Sequence, residues 1–287
     1  MTRILILGAA GMLGHKAYEI FSPEFETIGT VRRLDAAVAA RAGFAPDRLI
    51  ANVEAERPDS VARAIDAAQP DWVLNCIGIV KQRDDAKRPR PSIEVNALFP
   101  HVLADLCEAR GARMIHLSTD CVFSGAQGNY AEADVPDPVD LYGATKLLGE
   151  LDRDGVLTIR TSMIGRELTG HASLVEWFLA QPPGPVRGFT QAFFSGLTTQ
   201  ALSRELARII RGGSTLRGIY HVSADRISKY DLLCLVNDAY GGERSLTPDD
   251  SFRCDRSLDS SRYRAETAFA PEAWNAMIAE MAADPRR

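Results

Sequence analysis

The most restrictive feature of this sequence is a set of three spaced glycines that follows a short apolar run. Ile4–Leu7 is continuously apolar, glycines stand at positions 8, 11 and 14, and an amphipathic stretch follows them. Apolar runs of this length are typical of parallel strands that are covered on both faces. Gly8 permits a tight turn, Gly11 lets the backbone approach a pyrophosphate, and Gly14 lets a helix pack on the strand.

A glycine triplet alone is weak evidence, because ordinary turns also contain one. Between a buried strand and a helix it favours a dinucleotide-binding turn, since the start of a helix offers backbone N–H groups to an anion. The residues predicted to contact the cofactor in this turn are Gly8, Gly11, Met12, Leu13 and Gly14.

Short apolar runs recur through the first half of the chain, separated by helical patterns such as Asp59–Ala68 and Ile93–Arg110. Pro100 lies inside the second of these patterns and must kink the helix or end an early turn. The further runs are Thr27–Val31, Leu49–Val53, Trp72–Cys76, Met114–Ser118 and Leu157–Arg160. This alternation predicts an α/β fold with a Rossmann-type doubly wound parallel sheet, in which ligands bind beyond the carboxyl ends of the strands.

The end of the second predicted strand bears on the choice of cofactor. Arg32 and Arg33 stand where an NAD site usually has an acidic residue for the ribose 2′-hydroxyl. Two guanidinium groups can instead bind a 2′-phosphate, so NADPH is expected and NADH is the alternative. The two arginines are also compatible with a solvated charged turn. The next two strand ends supply the other predicted cofactor contacts, which are Asn52, Val53, Cys76, Ile77 and Gly78.

The stretch from Ser118 to Lys146 predicts a reduction site. Thr119 follows the fifth apolar run, and Tyr142 and Lys146 follow it with a spacing of four residues. Four residues are about one helical turn, so the two side chains share a face if a helix begins near Tyr142. The spacing by itself is modest evidence, and its position after the fifth strand makes it strong.

Two motifs in this stretch carry a resemblance to a known family. Ser118–Gly125 and Tyr142–Glu150, together with the glycine turn, resemble the extended short-chain dehydrogenases/reductases, and within them the dTDP-4-dehydrorhamnose reductases. The similarity covers most of residues 3 to 240 in motif order. It implies an NADPH-dependent reductase of a nucleotide-linked 4-keto-6-deoxysugar, serving polysaccharide and deoxysugar precursor synthesis. It also implies an NADP-binding domain with the catalytic residues over 1–165 and a smaller, interleaved substrate-binding lobe over 166–287, some of whose segments return to the first domain.

The resemblance implies a role for each central residue. Tyr142 would donate a proton to the alkoxide that forms from the ketone, and Lys146 would supply the cation that a phenol needs near neutral pH. Lys146 would also hold the nicotinamide ribose. Thr119 would bind the ketone oxygen, and Asp120 would bind or position the substrate. The plainer alternative for Thr119 and Asp120 is a turn or helix cap.

Cys121 departs from the reductase pattern. Sugar dehydratases of the superfamily have Glu at this position, so dehydration is not expected, and the rhamnose-type reductases usually have Tyr, so the substrate pocket must differ. A Cys here is similar to GDP-fucose synthases, in which Cys and His epimerise the sugar before its reduction. His171 would then be the partner of Cys121, which leaves an epimerase or bifunctional epimerase-reductase as an alternative. A buried Cys more often serves packing.

The second half of the chain is expected to complete the substrate site. By resemblance, the segment 186–195 binds the nucleotide diphosphate, with Arg187 as the phosphate contact, although a lone Arg is as often merely solvated. The resemblance also implies a homodimer joined through helices near 93–110 and 142–152. A non-catalytic NADP-binding regulatory subunit is a further alternative, against which the intact hydroxyl, Tyr and Lys set argues. The pattern here predicts helices over Thr198–Arg211, Ser228–Tyr240 and Pro271–Met281, and a strand over Gly218–Val222.

Composition excludes other classes of partner. A formal charge of −5 gives no basic surface for nucleic acid, and no apolar run reaches the ~18 residues that span a bilayer. The apolar run near the start of the sequence is too short to be the core of a signal peptide. Five widely spaced cysteines without a CxxC pair favour reduced thiols, so a cytoplasmic protein is expected, and no ligand cluster points to a metal.

Overall fold

The computed structural model describes residues 1–80, 88–170 and 173–284. Its centre is a seven-stranded sheet, flanked by helices, with the strand order β10-β6-β5-β4-β1-β2-β3. In chain order the strands are β1 (Arg3–Leu7), β2 (Glu26–Val31), β3 (Leu49–Ala51), β4 (Trp72–Asn75), β5 (Arg113–Leu117), β6 (Val156–Arg160), β7 (Met163–Ile164), β8 (Gly184–Phe194), β9 (Leu197–Thr198), β10 (Gly218–His221), β11 (Ile227–Ser228) and β12 (Arg244–Asp255).

The α-helices cover both faces of this sheet and pack the second half of the chain against it. They are α1 (Met12–Phe21), α2 (Ala36–Ala42), α3 (Pro58–Ala68), α4 (Pro89–Ser92), α5 (Phe99–Glu108), α6 (Leu141–Leu148), α7 (Leu174–Leu179), α8 (Thr199–Arg211), α9 (Lys229–Ala239), α10 (Ser261–Thr267) and α11 (Trp274–Ala283). No helix of the described residues is long and apolar enough to cross a membrane.

The predicted Rossmann-type parallel sheet is confirmed. All six apolar runs of the first half form neighbouring parallel strands, and all but the partly buried edge strand β3 bury apolar side chains. The third strand is shorter than predicted and ends at Ala51. Asn52 after it has a φ of 62°, a left-handed conformation that a strand does not continue through.

Pro100 is accommodated by a change of helix type. Residues Ile93–Leu98 form a π-helix between α4 and α5, and Pro100 then lies in the first turn of α5, where a missing N–H costs nothing. Asn96 in the π-helix accepts from the Ile79 N–H at 2.9 Å and donates to the Ile79 carbonyl at 3.0 Å. The π-helix therefore holds the loop that follows β4.

The second half contributes to the central sheet and also forms a smaller sheet. β10 pairs with β6 at the edge of the seven-stranded sheet, while β11, β8 and β12 form a separate three-stranded sheet. The Ser228 side chain caps α9 by accepting from the Asp231 N–H at 3.0 Å, as expected. The last helix begins at Trp274 and not at Pro271; Trp274 is buried there and donates from Nε1 to the Asp225 carbonyl at 2.7 Å.

Candidate active site

The glycine turn lies between β1 and α1, at the carboxyl end of the central strands. Gly8 has a φ of +78°, which other residues rarely adopt. A Cβ on Gly14 would stand 2.2 Å from the Gly8 carbonyl oxygen, so only glycine lets α1 pack this close to the turn. Gly11 is exposed and begins α1 without a side-chain cap, which leaves first-turn N–H groups of α1 for an anion. This geometry fits a pyrophosphate.

The other predicted cofactor contacts lie at the same edge of the sheet. Arg32 and Arg33 are both exposed after β2, and an Arg32 Nη2 is 3.3 Å from a carboxylate oxygen of Glu56. After β3, Asn52 is exposed and Val53 is buried. The Arg32–Glu56 ion pair means that a 2′-phosphate would compete with a carboxylate for this guanidinium.

The buried side chain of Asn75 fixes the conformation of the residues that follow β4. Asn75 Oδ1 accepts from the Ile77 N–H at 3.1 Å and so fixes the first turn of the loop. Burial raises the pKa of the Cys76 thiol to about 12, so this residue packs and does not react. Gly78 is exposed, and a Cβ there would stand 3.5 Å from Asn96 Oδ1. A cofactor lying along this loop would meet backbone more than side chains.

The three predicted catalytic residues are brought together at the end of β5. Asp140 caps α6 by accepting from the Gly143 N–H at 2.8 Å, so the helix begins beside Tyr142 as the spacing predicts. Thr119 lies close enough to Tyr142 to lower the pKa of the phenol, and its own hydroxyl donates to Asp120 Oδ1 at 3.1 Å. Lys146 is buried one turn later and donates from Nζ to the Leu117 carbonyl at 2.6 Å.

The electrostatics of this group differ from the expectation in one respect. Burial raises the pKa of Tyr142 above its ordinary value, with further raising by the charges of Cys121, Asp120 and Asp140, against which the Thr119 hydrogen bond acts. Lys146 is not among the groups that shift the pKa of Tyr142 here, and its ammonium donates to the Leu117 carbonyl, so its role as the cation for the phenol stays a prediction. Burial lowers the pKa of Lys146 to about 8, with the charge of Glu150 opposing it. At neutral pH Tyr142 therefore holds its proton and Lys146 remains mostly a cation.

Two cations that the sequence analysis missed lie beside Asp120 and Cys121. Lys229 begins α9 and Arg256 follows β12; Arg256 Nη1 is 3.6 Å from Cys121 Sγ. Burial raises the pKa of the Asp120 carboxyl, which the charges of Lys229 and Arg256 partly offset. Burial also lowers the pKa of Lys229. In the sequence each is an isolated basic residue more than 100 positions from Asp120, and such residues are usually solvated.

Arg187, another predicted residue, is not part of this group. Arg187 has its side chain 80% exposed on β8, and its Nη1 is 3.3 Å from Asp249 Oδ2. None of its recorded contacts involves Thr119, Tyr142 or Lys146, and its phosphate role stays a prediction. His171 lies outside the described residues, so its pairing with Cys121 also stays a prediction.

Comparison with known proteins gives the family. A family model described as the RmlD substrate binding domain matches residues 1–286. The methionine adenosyltransferase 2 subunit beta of Danio rerio is 29% identical over 252 residues, which are 83% of this chain and 74% of that protein. A dTDP-4-keto-6-deoxy-D-glucose reductase of Streptomyces niveus is 28% identical over 239 residues, which are 80% of this chain and 76% of that one.

Solved structures agree on the fold. The dTDP-4-dehydrorhamnose reductase of Bacillus anthracis, solved in complex with NADP, superposes with a TM-score of 0.80 at 19% identity and covers 98% of this chain and 99% of that one. At this identity the likeness shows the fold alone. With the family model matched from the glycine turn to the last helix, the chain belongs to the RmlD substrate-binding domain family, as the motifs around Thr119 and Tyr142 predicted.

Proposed function

We propose that this protein is an NADPH-dependent reductase of a nucleotide-linked 4-keto-6-deoxysugar, working in the cytoplasm to supply deoxysugar precursors of polysaccharides. One observation carries the proposal: Thr119 lies close enough to Tyr142 to act on its pKa, with Lys146 one turn away, at the sheet edge that also holds the glycine turn. The reductases among the relatives support the reaction class.

The chain's own residues divide the work of a ketone reduction. NADPH, bound along the glycine turn and the ends of β2 to β4, would supply the hydride. Thr119 would hold the ketone oxygen and stabilise negative charge as it develops. Tyr142 would then give its proton to that oxygen; its raised pKa keeps the phenol protonated at neutral pH until the alkoxide forms. Lys146 would help to restore the phenol afterwards.

The two cations support a negatively charged carrier on the sugar. Lys229 and Arg256 lie beside Asp120 and Cys121, next to the Thr119 hydroxyl. A diphosphate is the part of a nucleotide sugar that such cations would bind, while the Asp120 carboxylate would accept from sugar hydroxyls. Arg187 remains a further candidate for phosphate contact at the outer face of β8.

The test is oxidation of NADPH, followed at 340 nm, against a panel of nucleotide-linked 4-ketosugars. We expect turnover with at least one of them, and a loss of about 10²- to 10⁴-fold in kcat for Tyr142→Phe, because the proton donor is removed. Full turnover by this variant would overturn the assignment. Turnover with NADH alone would overturn the choice of cofactor.

Two alternatives each have an observation in their favour. The Arg256 contact with Cys121 Sγ would stabilise a thiolate, as an epimerisation needs; deuterium uptake beside the ketone in heavy water would then accompany reduction. The likeness to methionine adenosyltransferase 2 subunit beta favours a regulatory subunit that binds NADP without turnover. Such a subunit would bind NADPH yet oxidise it with no sugar of the panel.

The same proposal includes a homodimer. Ile93, Leu98 and Leu148 are exposed apolar side chains on the two helical segments that the resemblance places at an interface. Sedimentation equilibrium should give about twice the mass of one chain, and a monomer at micromolar concentration would contradict this part.

A further inference from the structure

Three consecutive residues at the end of β5 each contact a different residue of the catalytic helix or its continuation. The Leu117 carbonyl accepts from Lys146 Nζ at 2.6 Å, and Ser118 Oγ donates to Glu150 Oε1 at 2.6 Å. Thr119 lies close enough to Tyr142 to act on the pKa of its phenol. Tyr142 and Lys146 lie one turn apart on α6, and Glu150 follows two residues after the helix ends at Leu148.

The buried Arg160 forms a bidentate ion pair with Glu150. Arg160 on β6 donates from Nε to Oε1 at 2.8 Å and from Nη2 to Oε2 at 2.7 Å, and both side chains are 4% exposed. Arg160 Nη1 also lies 3.3 Å from His221 Nε2, and His221 Nδ1 lies 2.9 Å from the Tyr130 carbonyl. A bidentate pair of this kind fixes the position of the carboxylate, because neither group can rotate without losing a bond.

His116, which lies near Lys146, is neutral, and its hydrogen bond with Asn75 fixes its tautomer. Asn75 Oδ1 accepts from the Ile77 N–H, so the Asn75 amide must donate from Nδ2 to His116 Nδ1, 3.1 Å away. Burial lowers the pKa of His116 well below its ordinary value. Among the described residues, the charge that acts on Lys146 is that of Glu150, which lies beyond the end of its helix and is paired with Arg160 on β6.

We propose that Glu150 is a positioning residue of the reaction, which ties the strand end carrying Thr119 to the helix carrying Tyr142 and Lys146. It acts through Ser118 and Lys146 and does not touch the substrate. The inference rests on the proposed reductase function, for which Thr119 and Tyr142 must meet the same ketone oxygen. Small displacements of such groups reduce turnover, because the reacting atoms lose their alignment.

The test must separate positioning from mere folding. Changing Glu150 alone would leave Arg160 buried without its partner and would endanger the fold. Ser118→Ala instead removes the tie and leaves the Glu150–Arg160 pair intact. The matched control is Ser203→Ala, because Ser203 is a fully buried serine on α8 whose hydroxyl has no hydrogen-bond partner among the described residues.

For Ser118→Ala we expect kcat to fall about tenfold while KM for NADPH stays within about twofold, and Ser118→Thr, which keeps a hydroxyl, should restore part of the loss. Ser203→Ala should stay within about twofold of wild type in both constants. Equal values for Ser118→Ala and Ser203→Ala would overturn the positioning role. A parallel loss of kcat and thermal stability in both would do the same.

A second readout does not depend on activity. The chain has five lysines, so ¹³Cε-lysine NMR resolves Lys146, whose signal is the one missing in Lys146→Arg. In the double variant E150Q/R160Q, which removes both charges together, the titration midpoint of Lys146 should fall, because the Glu150 charge that raises it is lost. An unchanged midpoint would overturn the inference. If wild type oxidises NADPH with no ketosugar, the proposed reaction fails, and this titration still decides whether Glu150 acts on Lys146.

Discussion

The charged groups at the end of β5 have close protein partners, whereas Asp120, Lys229 and Arg256 on the other side of the site form no ion pair with one another among the described residues. At the end of β5, Lys146 and Glu150 have protein partners at 2.6 to 2.8 Å, so that region is assembled without a ligand. On the other side, no ion pair joins Asp120 to Lys229 or Arg256 within the described part of the chain, although all three influence one another's titration. The first arrangement is suited to fixed proton chemistry, and the second to binding a charged ligand that bridges the gap.

The largest expected effect is on the assembled side. Glu150→Gln leaves Arg160 buried without an anion, so the free energy of unfolding should fall by about 3–5 kcal/mol, measured by urea denaturation. The matched control is Asp105→Asn, which breaks the exposed pair with Arg153 and should cost less than about 1 kcal/mol. Equal losses in the two variants would remove the distinction between the regions.

The next effect is the acid sensitivity of the same network. Burial and the charge of Arg160 lower the pKa of His221 from 6.5 to about 4, so the folded state binds fewer protons than the unfolded chain. The stability that this provides is present above pH 6.5 and is lost as the pH falls towards 4, on the order of 3 kcal/mol in all. His221→Gln should show a shallower loss of unfolding free energy between pH 6.5 and 4. The same slope as in wild type would show that other groups dominate.

A smaller effect is expected on the ligand-binding side. Lys229→Met should raise KM for the nucleotide sugar by about 10- to 100-fold, since a charge-assisted contact is lost, while KM for NADPH stays unchanged. Arg187→Met is the control and should change either KM by less than about threefold, because Arg187 is exposed and already paired. If Arg187→Met has the larger effect, the phosphates bind at the outer face of β8.

The smallest effect concerns the choice of cofactor. Arg32→Ser should lower the ratio of kcat/KM for NADPH to that for NADH by about tenfold. Glu56→Gln should raise the same ratio, because it frees the guanidinium from its carboxylate partner. A ratio that neither change moves would mean that the 2′-phosphate is bound elsewhere.

The sequence predicts local features of this fold well and distant contacts poorly. Ile4–Leu7 and the later apolar runs predict their strands because burial on both faces requires continuous apolar residues. Tyr142 and Lys146 are predictable because one helical turn joins them. Lys229 and Arg256 approach Asp120 only after the chain has folded over more than 100 residues, and no local pattern records that approach.

The remaining differences are also physical. The pKa of Tyr142 depends on burial and on the charges of Cys121, Asp120 and Asp140, and spacing alone specifies neither. Glu150 belongs to a motif that the sequence shows, but its partner Arg160 is recognisable only from the pairing of β6 with β5. The extent of β3 was set by the left-handed Asn52, which an apolar pattern does not reveal.

The number of residues in the π-helix Ile93–Leu98 determines where Asn96 lies in the site. A π-helix contains one residue more per turn than the α-helix into which it could shorten. Deleting one residue there would rotate Asn96 by about 100° relative to α5 and turn its amide away from Ile79. The loop after β4, along which a nicotinamide would lie, would then lose both bonds at once, so a single-residue deletion should be more damaging here than most substitutions.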